Sequence, residues 1–168
     1  DNPPKVAVLF KASPGGVVIR RLKESVVDEP WMKVQVQENG SYRSVDMVEA
    51  LDWMLPMTND SSESIVVLLD WFSGHLTDEV KELIAGKGHV LLFHGGGATP
   101  FTQINDTHLH AQLASVLIKI ENDWQLAERA RMLAKGQNKT PNPSREDILQ
   151  IVQAAWLSIN HGRVAEKG

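Results

Sequence analysis

Apolar and polar positions along the chain follow two periods, and the change from one to the other marks the elements. Residues 65–69, IVVLL, form an unbroken aliphatic run too short for a helix, which reads as a strand buried on both faces, stopped by Asp70 and the turn signal Ser-Gly-His. A second run, Val90–Phe93, leads into Gly95, Gly96 and Gly97 and reads the same way. Between them Thr77 can cap a helix DEVKELIAG, with acids in its first turn where the helix dipole favours them and Gly86 near its end. Strand, helix and strand in this order predict a βαβ unit with parallel, neighbouring strands whose carboxyl ends share one edge.

Upstream, VAVLF (6–10) is a strand candidate closed by SPGG at 13–16. WMKVQVQENG (31–40) alternates apolar with polar residues, predicting a half-exposed strand that turns at Asn39-Gly40. Ser44 then precedes a helical spacing of Val45, Val48, Leu51 and Leu55 that Pro56 stops. Downstream, a long helix is predicted from about Asp106 to Lys135 on the stripe Leu109, Leu113, Val116, Leu117 and Ile120, ended by Gly136 and TPNPS. Ser144 with Asp147 resembles a capping box for a last helix over 147–160. Strands followed by helices, with no internal repeat, predict an α/β fold.

The 168 residues suit one domain with a real core. The absence of cysteine removes disulfides and thiolate metal sites, so any metal would be held by oxygen or imidazole. No apolar run approaches the ~20 residues that span a bilayer, and DNPPK lacks the features of a signal peptide, so a soluble chain with no membrane partner is expected. A formal charge of -4 argues against a whole-surface nucleic-acid grip. Two local basic clusters, Lys11, Arg20, Arg21 and Lys23, and Arg129, Arg131 and Lys135, read first as solvated faces.

Three features converge on the predicted sheet edge: Asp70, the loop HGGGATP, and Asp106 where the next helix begins. Singly, each acid suits a turn or helix cap; as a pair on oxygen-rich loops they are hard ligands for Mg²⁺ or Mn²⁺. His75, His94, His108 and His110 raise an imidazole-bound Zn²⁺ or Fe²⁺ centre instead, but a helical pair two residues apart does not face one point. The glycine run lacks the lysine and spacing of a nucleotide loop. Trp53, Trp124 and Trp156 sit in apolar helical stripes and read as packing residues, whereas Trp71 beside Asp70 is the one candidate for nucleic-acid contact.

VLLDWFSGHLTDEVKELI resembles the "LLDNFSGH" segment of the DDE superfamily endonucleases, the transposase catalytic domains of the pogo and Tigger group, and GGGATPFTQIND resembles their "PPGTTSLLQPLD" segment. NPPKVAVLFKA is similar to that family's third-strand segment, NGSYRSVDMVEALDWMLP to its "GWMDEELFLEWLEKVLLP" helix, and REDILQIVQAAWLSIN to its closing helix, so the likeness covers nearly the whole chain. The resemblance implies an α/β, ribonuclease H-like mixed sheet flanked by helices, with residues 1–135 a partial catalytic core and 136–168 a linker and closing helix of the same domain. It also implies Asp70 and Asp106 as the second and third catalytic acids and metal ligands, His75 as a supporting residue, a two-metal Mg²⁺ or Mn²⁺ site, DNA as partner and a nuclear location.

The family's first acid lies in a "DE" on a strand upstream of the segment that VAVLF resembles, and Asp1 falls in a turn, so the expected domain is truncated at its N-terminal side. Trp71 stands where the family commonly has Asn, Gly95-Gly96 where it has Pro-Pro, and Ile104-Asn105 where it has Pro-Leu. The expectation is therefore an impaired endonuclease and strand-transferase domain of transposon origin. The alternative is a domesticated DNA- or protein-binding module or assembly subunit, for which an exposed sheet edge invites pairing with another chain or a second copy.

Overall fold

The computed structural model describes residues 3–25, 29–70, 77–93 and 109–159. In chain order these form β1 (Val6–Lys11), α1 (Val17–Glu24), β2 (Met32–Gln37), α2 (Ser44–Met54), a 3₁₀ turn at Ser61–Glu63, β3 (Val66–Leu69), α3 (Asp78–Gly86), β4 (Val90–Phe93), α4 (His110–Ala134) and α5 (Arg145–Ser158). The chain is an α/β protein with small parallel sheets and flanking helices. It divides into two compact units, residues 4–103, and residues 104–168 with 1–3. Among the described residues no helix is long and apolar enough to cross a membrane.

The βαβ unit read from the sequence is present: β3 and β4 pair in parallel from Val66↔Val90 to Leu69↔Phe93. Val80 and Ile84, one turn apart on α3, are fully buried and pack with Leu51 of α2 and Val67 of β3. Met47, Val48, Leu55, Leu69, Leu83 and Leu91 close around them. The expectation of strands buried on both faces fails, because this cluster covers one face only. The alternate residues Val66, Leu68, Val90 and Leu92 are 57, 44, 49 and 50% exposed.

β1 and β2 also pair in parallel, from Val6↔Met32 to Lys11↔Gln37. A parallel pair needs a crossover, and α1 supplies it, a helix not among those expected from the pattern of apolar residues. Its signal is Val18 and Leu22 four apart, the latter fully buried, with Arg21 and Lys23 in the last turn where the helix dipole favours cations. The two pairs are separate two-stranded sheets with no antiparallel pairing among the described residues, which differs from the single mixed sheet expected. β2 is not half-exposed either: Met32, Val34, Gln35 and Gln37 are buried. Main chain serves one amide atom of each glutamine, while Gln35 Oε1 is buried without a hydrogen-bond partner among the described residues. Gln35 Nε2 donates to the Asp46 carbonyl at 3.1 Å, and Gln37 Oε1 accepts from Gly40 N at 2.9 Å. Gly40 adopts φ 71°, as the Asn-Gly turn requires.

In α2, Ser44 is the first helical residue rather than the one that precedes it, and Val45 points to solvent. Asp46 Oδ2 accepts from Arg43 N at 3.0 Å and from Arg43 Nε at 2.9 Å, so an acid in the first turn fixes the helix start. Beyond the end of α3 it is Gly88, not Gly86, that takes the left-handed conformation, φ 82°. The next residue, His89, is buried: its Nδ1 accepts from Ile65 N at 3.3 Å while Nε2 sits 2.8 Å from the Pro56 carbonyl, which sets the Nε2-protonated neutral tautomer.

In the second unit, α4 turns Leu113, Val116, Leu117 and Ile120 to its half-buried side, matching the predicted stripe. It ends at Gly136, φ 71°. The capping box is present: Ser144 N donates to Asp147 Oδ2 at 2.9 Å and Asp147 N donates to Ser144 Oγ at 3.1 Å. Leu149, Ile151, Ala155 and Trp156 form the buried side of α5.

Candidate functional site

Parallel pairing in register makes β3 and β4 stop together. Leu69 and Phe93 are partners, so Asp70 follows the last paired residue of β3 at the rim where β4 also leaves the sheet. That rim is the carboxyl edge of a βαβ unit, where open α/β sheets place ligands. Asp70 is half-buried there and takes part in an interaction.

The other residues expected at this rim fall outside the described residues: Trp71, His75, His94, Gly95 to Gly97, Asp106 and His108. His110 is the exposed first residue of α4 and has a partner. Among the described residues no three His, Cys, Asp or Glu side chains come together as a metal cage. What Asp70 offers is a single carboxylate, an oxygen donor of the hardness that Mg²⁺ and Mn²⁺ select.

Two further concave regions occur away from this rim. In the first unit, cavities of about 280 and 290 Å³ lie beside β2 between residues of α1 and α2. In the second, a cavity of about 210 Å³ is lined by Trp124, Glu128 and Arg131 of α4 and by Asp147 of α5. Glu128 is paired with Arg131, which holds its carboxyl below the ordinary range, and the Ser144 hydroxyl does the same for Asp147. This is a satisfied polar joint between two helices.

The tryptophans read as packing residues do pack. Trp156 is buried and Trp124 half-buried, while Trp53 lies half-buried beneath Lys5 Nζ and Lys33 Nζ, 5.1 and 6.0 Å from its ring centre. Arg20, Arg21 and Lys23 are exposed on α1, a solvated basic face.

No family model, curated protein or solved structure matches the chain.

Proposed function

We propose that the chain is an impaired divalent-metal-dependent DNA endonuclease and strand-transferase domain of transposon origin, ribonuclease H-like in fold and a relative of the pogo and Tigger DDE endonucleases. The observation that carries the reading is Asp70 at the common carboxyl rim of β3 and β4, within the segment VLLDWFSGH that resembles the family's second catalytic motif. Asp70 and Asp106 would hold Mg²⁺ or Mn²⁺, and His75 would support the turn after Asp70. Bound metal would supply Lewis-acid stabilisation of a phosphodiester and a low-pKa water or hydroxyl. The chain's own part is to fix Asp70 at a rigid strand end, since a ligand carried on a packed strand holds its position better than one on a loop. DNA as substrate and a nuclear location belong to the same proposal.

The test is a Mn²⁺ titration followed by paramagnetic broadening of amide resonances. In the wild-type chain, Leu69 and Phe93 should broaden first; Asp70→Asn and Asp106→Ala should each weaken the effect at least about tenfold with thermal unfolding unchanged. Supercoiled plasmid nicking with Mg²⁺ by the full-length protein gives the activity arm, in which Asp70→Asn abolishes cleavage. Equal Mn²⁺ broadening, or unchanged nicking, in the Asp70→Asn protein would reject the assignment.

A further inference from the structure

The ladder between β1 and β2 leaves one side of β2 without a partner, and that side faces a groove. Val6 N donates to Trp31 O at 2.8 Å and Ala12 N to Gln37 O at 3.2 Å, so odd-numbered residues of β2 turn their main chain toward β1. In a parallel ladder Val34 and Val36 therefore direct their N–H and C=O groups to the opposite edge. Among the described residues nothing pairs with them there. Val34 is nonetheless only 3% exposed, so its unpaired main chain has little contact with water, while Val36 is half-buried.

The groove follows from the side-chain directions. Lys33 and Gln35 reach α2, through Lys33 Nζ to Glu49 Oε1 at 3.0 Å and Gln35 Nε2 to the Asp46 carbonyl. Val34 and Val36 point to the other face, and α1, the crossover between β1 and β2, packs on β2. Helices on opposite faces can line one cavity only beyond the strand's edge. Two cavities beside β2 are lined from both: Ile19 and Lys23 from α1, Glu49 and Trp53 from α2. They share Lys23, Val34 and Glu49 and run from Met32 to Val36, about 13 Å at the ordinary rise of a strand. Glu49 is paired with Lys33, and Lys23, which makes no hydrogen bond or ion pair among the described residues, adds its positive charge to the field around Glu49.

We infer that the free edge of β2 is a strand-addition site for an extended peptide of a partner protein, bound by main-chain bonds to Val34 and Val36, with an acidic side chain meeting Lys23. Main-chain pairing supplies the affinity in such sites and alternate side chains the selectivity. The site is independent of the nuclease reading, since Asp70 takes no part in it.

The probe is a blocked pentapeptide, Thr-Val-Glu-Val-Thr, added to the whole chain with amide hydrogen exchange read by NMR. In the free protein the Val34 and Val36 amides should exchange faster than those of Lys33 and Gln35. With peptide they should slow by at least about tenfold, and an analogue N-methylated at alternate residues should leave them unchanged. Val36→Pro removes an outward N–H without taking a bond from β1 and should weaken binding at least about tenfold. Lys23→Glu should do so for this peptide and favour the analogue with Lys at its centre. Absence of slowing, binding unchanged by either substitution, or protection of Val34 and Val36 in the free protein overturns the proposal. If that protection grows with protein concentration, the occupant is a second copy and the partner peptide is rejected.

Discussion

Lys87 Nζ lies 2.7 Å from the main-chain oxygen of Asp52 and 3.0 Å from its carboxylate Oδ1, so one ammonium closes the end of α2 from 35 residues away. The same nitrogen donates to the Leu55 carbonyl at 2.8 Å. Helix C-termini leave carbonyls unpaired and carry partial negative charge, and a largely buried lysine answers both needs. Lys87→Met should keep the aliphatic packing while removing the donor, at a cost of about 1–2 kcal/mol in urea unfolding, with Lys87→Arg recovering part of it. A loss below about 0.5 kcal/mol would show that water replaces the ammonium without penalty.

Gly88 follows directly. A Cβ built on it would stand 2.2 Å from the Thr58 carbonyl oxygen, and its φ of 82° is strained for any side chain. Neither problem can be relieved alone, because Thr58 N is itself bonded to the Lys87 carbonyl at 3.0 Å and His89 is clasped between Ile65 and Pro56. Gly88→Ala should cost about 3 kcal/mol or more. Gly136→Ala, at φ 71° with open space where the methyl would go, should cost only about 1 kcal/mol. Similar losses at the two sites would remove the contact with Thr58 from the explanation.

The contrast between these glycines shows what the sequence could and could not say. Gly136 was legible, because a glycine after a long helical stripe and before prolines has one local meaning. Gly88 was not: Gly86 is the better-placed helix stop by pattern, and what selects Gly88 is Thr58, thirty residues distant. The parallel pairing of β3 with β4 was legible from run length and the helix between them. The exposure of Val66, Leu68, Val90 and Leu92 was not, since a run that is apolar at every position carries no period from which to learn that one face lacks cover. The burial of Gln35 and Gln37 misled in the opposite sense, because alternation marks polarity while their main-chain partners at Asp46 and Gly40 decide burial. Of the candidate site, the rim and the place of Asp70 were readable; its companions Asp106 and His75 lie outside the described residues.

The cap of α5 gives a local, pH-dependent test. The Ser144 hydroxyl, followed by the Ser144 N–H, holds the Asp147 carboxyl below its ordinary range, with burial opposing. A carboxyl depressed on folding contributes stability that is present above its unfolded value, near about 4, and is lost as pH falls through the lower folded one. Ser144→Ala should therefore speed hydrogen exchange of the first-turn amides of α5 by the equivalent of about 1 kcal/mol at neutral pH, and by less in acid. An effect of equal size at both pH values would leave the hydroxyl as a neutral cap with no hold on the charge.

Tyr42 is the chain's single tyrosine, which makes its phenol directly observable by absorbance near the phenolate band. Burial, reinforced by Asp46 and then Glu49, pushes its pKa up to about 12. The sign follows from linkage: the folded state retains a proton that the unfolded chain, ionising near about 10, gives up first. The contribution is fully present below pH about 10 and lost as pH rises from there toward about 12, so thermal unfolding should fall steeply across that window. Unfolded in guanidinium, the phenol should titrate near about 10. Glu49→Gln should bring the folded midpoint down modestly, because burial remains the larger cause, and Tyr42→Phe should flatten stability through the same interval. A folded-state midpoint at the unfolded value would mean that the ring is solvated and that the start of α2 does not close over it.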